Sequence, residues 1–138
     1  MDFHPIDRLL IHGSIVLLIG LLCGIPFWIA IIRGRQETAI RPWRVAHATL
    51  IPCGLVVLAV GIINPYLTLS DGLRSFMVWA LVASGYGFVF ALVAGAGTGR
   101  RALTPMPLDI INILLFLGHL IGAVGSISGL SIVVYGLL

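Results

Sequence analysis

Lysine is absent, so all eight basic residues are arginine. Five acids accompany them, and charged residues of both signs make up only 9% of the 138-residue chain. A soluble domain of this size carries about 25% charged residues to cover its wetted surface. An ordinary soluble domain is thereby excluded. The formal charge of +3 is too small to argue for a nucleic-acid partner. Cysteine occurs only at Cys23 and Cys53, both inside apolar stretches, which excludes a secreted disulfide framework. No Cys-x-x-Cys-His occurs, so covalent c-type haem attachment is excluded too. Met1 to Arg8 lack the basic start of a signal peptide, and the apolar run behind them is too long for an h-region. That run reads as a permanent span.

What is present is apolar: 59% of residues are hydrophobic, and the mean hydropathy is +1.14. Four segments stand out, roughly 9–32, 45–69, 73–97 and 109–138. Each has the ~20 residues that a spanning helix needs. The expected fold is all-α, one integral membrane domain over residues 1–138 built as a four-helix transmembrane bundle. Residues 33–44, a tight Ser70-Asp71-Gly72 turn and residues 98–108 connect the spans. The first and third connections hold Arg33, Arg35, Arg41, Arg44, Arg100 and Arg101, six of the eight arginines. Positive-inside reasoning then puts both termini outside, in a multi-pass protein of the cell inner membrane.

Glycine is abundant, at 17 residues. Gly118, Gly122 and Ser126 recur every four residues on the fourth helix, as do Gly125 and Gly129, and Gly20 and Gly24 on the first. Small residues four apart share one helix face and let backbones approach closely. The stripe serves either packing within the chain or an interface between copies. Pro26 and Pro52 are expected to interrupt helices one and two, each freeing a carbonyl four residues earlier.

Ionisable residues within a span are costly and point to function. His12, His47 and His119 qualify, each also readable as a hydrogen-bonding packing residue. At 1.5 Å rise per residue, His47 is expected ~3–5 Å and His119 ~15 Å from the inner face, an offset of ~10 Å. His12 is expected on the order of 25 Å from His47. Two axial haem ligands need nearly equal heights, so these positions disfavour a bis-histidine site within one chain. His47 has the richest setting, with Arg41, Trp43 and Arg44 before it. Imidazole ligates iron, and boundary guanidiniums suit haem propionates. Asn112 is expected at a depth similar to His47. Tyr86 lies mid-span between Gly85 and Gly87, either as a site residue or as a buried tyrosine bonded to a neighbouring carbonyl.

His12-Gly13, Trp43-x-x-Ala46-His47, Gly87-Phe88, Arg101-x-Leu103 and Pro107-x-Asp109-Ile110 occur in this order across the four helices. In this ordered set the chain resembles the styrene oxide isomerase family. The resemblance implies a homotrimeric membrane enzyme with haem b between neighbouring subunits. It implies His47 as the iron ligand, with Arg41, Trp43, Arg44 and Arg101 around the cofactor and Tyr86 and Asn112 as candidate catalytic residues. The implied reaction converts a small lipophilic epoxide to a carbonyl compound by Lewis-acid ring opening and a 1,2-hydride shift. The chain departs from the family pattern at Cys53, where that pattern has asparagine, and on helix three, which carries no acid within its span. Two other readings stay open: a b-type haem membrane anchor or electron-transfer subunit, and a haem-free transporter or packing subunit.

Overall fold

The computed structural model describes residues 5–138, so Met1 to His4, the start of the stretch weighed above as a signal peptide, lie outside the described residues. The chain forms α1 (Pro5–Leu22), α2 (Gly24–Ile32), α3 (Glu37–Ile63), a 3-10 turn (Asn64–Tyr66), α4 (Asp71–Thr98) and α5 (Ile110–Leu137), with no strand among the described residues. Four helical stretches, 8–32, 37–66, 71–98 and 110–137, are long and apolar enough to cross a membrane. The protein is an all-α, multi-pass membrane protein.

The first span is broken where a proline demands it. Pro26 has no N–H to donate to the Leu22 carbonyl. Accordingly α1 ends at Leu22 and α2 restarts at Gly24. Across the break, Cys23 N–H donates to the Ile19 carbonyl at 3.0 Å, and Phe27 N–H donates to the Cys23 carbonyl at 3.4 Å. Pro52 behaves differently from expectation, because α3 runs through it without interruption.

The second span begins at Glu37 rather than near Val45, which shortens the first connection to Arg33–Gln36. Ile40, Trp43, Ala46 and Leu50 recur at helical spacing, and Ala46 and Leu50 are fully buried. That burial pulls the arginine-rich segment into the helix. Pro42 deprives only the carbonyl of Thr38, an exposed residue where water can take over the bond.

The second connection also differs from the expected tight turn. Asp71 and Gly72 already belong to α4, and the chain turns through Asn64–Tyr66 and an extended stretch instead. Arg74 clamps that turn. Its guanidinium donates to the Asn64 carbonyl, to Asn64 Oδ1 at 2.8 Å and to the Leu67 carbonyl at 2.9 Å. Asn64 is only 1% exposed, so the bond satisfies a polar side chain that burial would otherwise penalise.

Two helix pairs pack backbone to backbone. Between α1 and α3, a Cβ on Gly54 would stand 2.5 Å from the Leu17 nitrogen. Between α4 and α5, a Cβ on Gly87 would stand 2.8 Å from the Gly118 carbonyl oxygen. The stripe of Gly118, Gly122 and Ser126 is therefore a seam within the chain: Gly118 meets Gly87 and Ala91, Gly122 meets Phe88, and Ser126 bonds Ser84 at 2.6 Å. Larger apolar side chains join the two pairs. Leu9, Val57, Met77 and Leu81 cluster in one core, and in another Phe88 and Leu92 of α4 pack against Val16, Cys23, Ala46 and Leu50.

Candidate functional site

His47 sits on the face of α3 that meets the first span. Its Nδ1 lies 2.9 Å from the Gly20 carbonyl oxygen. A carbonyl only accepts, so Nδ1–H donates and Nε2 carries the free lone pair. This is how metal-ligating imidazoles are oriented, one nitrogen tied to a carbonyl and the other left for the ligand. Gly24 makes room for the ring, since a Cβ there would stand 3.0 Å from His47 Cε1. Phe27 packs beside it, ring centroids 6.2 Å apart.

Arg44 lies one turn toward the start of α3 on the same side. Its guanidinium carbon is 5.6 Å from the Phe27 ring centroid. It also makes two bonds to Glu37, at 2.9 and 3.3 Å. The Arg44 and Glu37 side chains are 49% and 60% exposed, so water screens this ion pair and another anion can replace it cheaply. Trp43 packs against the cluster of Val16, Cys23, Ala46 and Leu50 that joins the first span to α3. The Gly20–Gly24 spacing was visible in the sequence, but its meaning, a carbonyl and a gap offered to His47, needed the helix pairing.

The other expected site residues go elsewhere. At 100° per residue, Val45 lies ~160° around α3 from His47. On that far side Arg41, Val45, Arg101 and His119 line a separate cavity of about 190 Å³. Arg41 and Arg101 therefore do not join His47 within one chain. Because α3 starts earlier than expected, the ~10 Å offset between His47 and His119 also disappears. His119 shares its cavity with Val45 and Ala91, and its neighbour Gly118 packs on Gly87. The two histidines are level within about one turn, ~5 Å, yet they face opposite sides of α3. His119 Nε2–H donates to the Arg101 carbonyl at 3.2 Å.

Asn112 is not level with His47. It stands seven residues, ~10 Å, closer to the start of α5 than His119. Buried at 4% exposure, it donates Nδ2–H to the Thr104 carbonyl at 2.8 Å and braces the last connection. Asp109 caps α5 by accepting the Asn112 backbone N–H at 3.1 Å and also pairs with Arg100. That backbone donor first, and then Arg100, hold the Asp109 carboxyl below its usual range.

Tyr86 finds a partner that sequence reasoning missed. Its hydroxyl lies 2.9 Å from His12 Nδ1, with the rings edge-to-face at 5.6 Å. Gly13, beside His12, packs on Leu58 of α3, eleven residues from His47. Tyr86 and His12 therefore sit ~16 Å from His47 along the membrane normal, less than the expected 25 Å but still far outside its reach. Cys53, at the departure from the family pattern, lines an apolar cavity of about 210 Å³ with Phe88, Ser84 and Leu130. Among the described residues no group of three or more His, Cys, Asp or Glu side chains comes together.

No curated protein and no solved structure matches the chain. A family model does: styrene oxide isomerase, over residues 6–138. That covers nearly all of a chain already seen to be four apolar helices with one free imidazole nitrogen beside α2, so the protein belongs to the styrene oxide isomerase family and has an isomerase-type function.

Proposed function

We propose that this protein isomerises a small lipophilic epoxide to a carbonyl compound, with haem b held by His47. The observation that carries this reading is the Nδ1–H bond from His47 to the Gly20 carbonyl, which leaves Nε2 as the one oriented donor on its face. The surrounding residues fit the cofactor. Gly24 leaves space beside the ring, Phe27 offers an aromatic wall, and Arg44 stands one turn away to exchange Glu37 for a propionate. Among the described residues no cluster of three ligating side chains surrounds His47, and a lone imidazole suits a porphyrin better than a bare metal ion.

When bound, the ferric haem supplies a Lewis acid for the epoxide oxygen. The chain's own residues then have three tasks. His47 would hold the iron through Nε2, and among the described residues no second histidine faces the same side. Apolar side chains exclude water, which would otherwise trap the opening ring as a diol. Trp43 adds to the packing of α1 on α3, so the Gly20 carbonyl that orients the imidazole stays in place. In the overall reaction a C–O bond breaks, and hydride moves from the carbon retaining oxygen to its neighbour. The carbonyl forms with no atom or electron gained or lost.

A lipophilic substrate partitions into the bilayer, which suits an enzyme almost wholly within it. Because Arg41 and Arg101 lie on the far side of α3 from His47, a role for them at the haem would require a neighbouring copy, as in the expected trimer. The cell inner membrane is the proposed location. The test is an optical spectrum of detergent-purified protein together with turnover of an aryl epoxide. A Soret band with aldehyde formation is expected. Haem-free active protein would remove the cofactor, and a low-spin bis-histidine spectrum without turnover would favour the electron-transfer reading.

A further inference from the structure

We infer that the cavity between α3, α4 and α5 binds the headgroup of an anionic phospholipid, independently of His47. Its lining is amphipathic. Val45, Ala91, Leu92 and Leu103 supply apolar walls, while Arg41, Arg100 and Arg101 bring three guanidiniums to the same space of about 190 Å³. Among the described residues the three are not equivalent. Arg100 pairs with Asp109, whereas the only other ion pair joins Arg44 to Glu37, so Arg41 and Arg101 face the cavity without a carboxylate. Two uncompensated guanidiniums over an apolar wall complement a phosphodiester carrying acyl chains.

The position agrees with the chemistry. Arg41 lies near the start of α3 and Arg101 just beyond the end of α4, so both stand at the same end of the bundle. The arginine distribution assigns that end to the cytoplasmic leaflet. Apolar residues exposed beside the cavity, Val45 at 43% and Leu103 at 68%, open it sideways to lipid chains. The site is also built rather than loose. His119 donates to the Arg101 carbonyl, and Asn112 holds the Thr104 carbonyl, so two side chains of α5 fix the connection that carries Arg101.

Native mass spectrometry of the full chain with added phosphatidylglycerol or phosphatidylcholine tests this. Two free guanidiniums should favour the anionic lipid by about thirtyfold. Arg41→Gln with Arg101→Gln should abolish the preference, and the Arg→Lys pair should keep part of it. Arg33→Gln with Arg35→Gln, outside the cavity, should leave it intact. His47→Ala should also leave it intact, whatever happens to haem. Equal binding of the two lipids overturns the inference, as does equal loss in the Arg33/Arg35 variant. Loss of the preference in His47→Ala would overturn it as well, by making the cavity part of the cofactor site.

Discussion

His47 gives its Nδ1–H to the Gly20 carbonyl at 2.9 Å, across the pairing of α1 with α3. This bond selects the ring nitrogen that remains free and aims it beside α2. His47→Ala should lose haem and isomerase activity together, while His119→Ala retains haem. Gly24→Val keeps the ligand but crowds its ring, since even a Cβ comes to 3.0 Å. Its haem affinity should fall about 10- to 100-fold, as for other disturbed supporting shells. Haem titration of the three purified variants checks this, and full occupancy in His47→Ala would remove the assignment.

Tyr86 and His12 form a hydrogen-bonded pair distant from His47. Tyr86→Phe should therefore cost about 1 kcal/mol of stability, the usual net worth of such a bond. Haem content and turnover per haem should stay at wild-type levels. A selective fall in turnover at unchanged stability would instead place the hydroxyl at the substrate.

The α4–α5 seam has no room at Gly87, where an added Cβ would press on the backbone of Gly118 and Gly122 at 2.8 and 2.9 Å. Gly87→Ala should destabilise the bundle by about 1–3 kcal/mol. Gly97 has nothing within 4 Å of the same position. Gly97→Ala should be neutral or stabilising by up to about 1 kcal/mol, because alanine is the better helix former. Thermal or denaturant unfolding in one detergent compares the two directly.

Asp109 is held below its ordinary carboxylate range by the Asn112 backbone N–H and by Arg100. The sign follows from linkage. The ionised form is favoured in the folded chain, so the contribution is present above the model-peptide value of 3.8 and is lost as pH falls through the lower folded value. Asp109→Asn should retain the cap but flatten this acid limb, whereas Asp109→Ala loses the cap as well. Unfolding measured at successive pH values from about 5 downward separates these outcomes.

Six arginines, on the first and third connections and at the start of α3, predict both termini outside. A reporter fused after Leu138 should be active only in the exported compartment. Cytoplasmic activity would invert the orientation and leave the four spans unchanged.

Hydropathy and length were sufficient to read four spans and an all-α class, because crossing a bilayer is a local requirement on each ~20-residue stretch. The break at Pro26 was legible for the same reason, since a missing N–H acts four residues away. Pro52 and the start of α3 were not: the early start depends on Ile40, Trp43 and Ala46 finding a face to bury against.

The site divides in the same way. His47 was recognisable from its motif and its apolar surroundings, but helix rotation alone decides which residues share its face. Nothing local in the sequence says that Gly20 offers His47 a carbonyl, that Tyr86 turns to His12, or that Arg41 and Arg101 join His119 instead. Those outcomes follow from glycine seams that bring α1 onto α3 and α4 onto α5 at one rotation and height. Close backbone contact fixes both, and it exists only once the helices have packed.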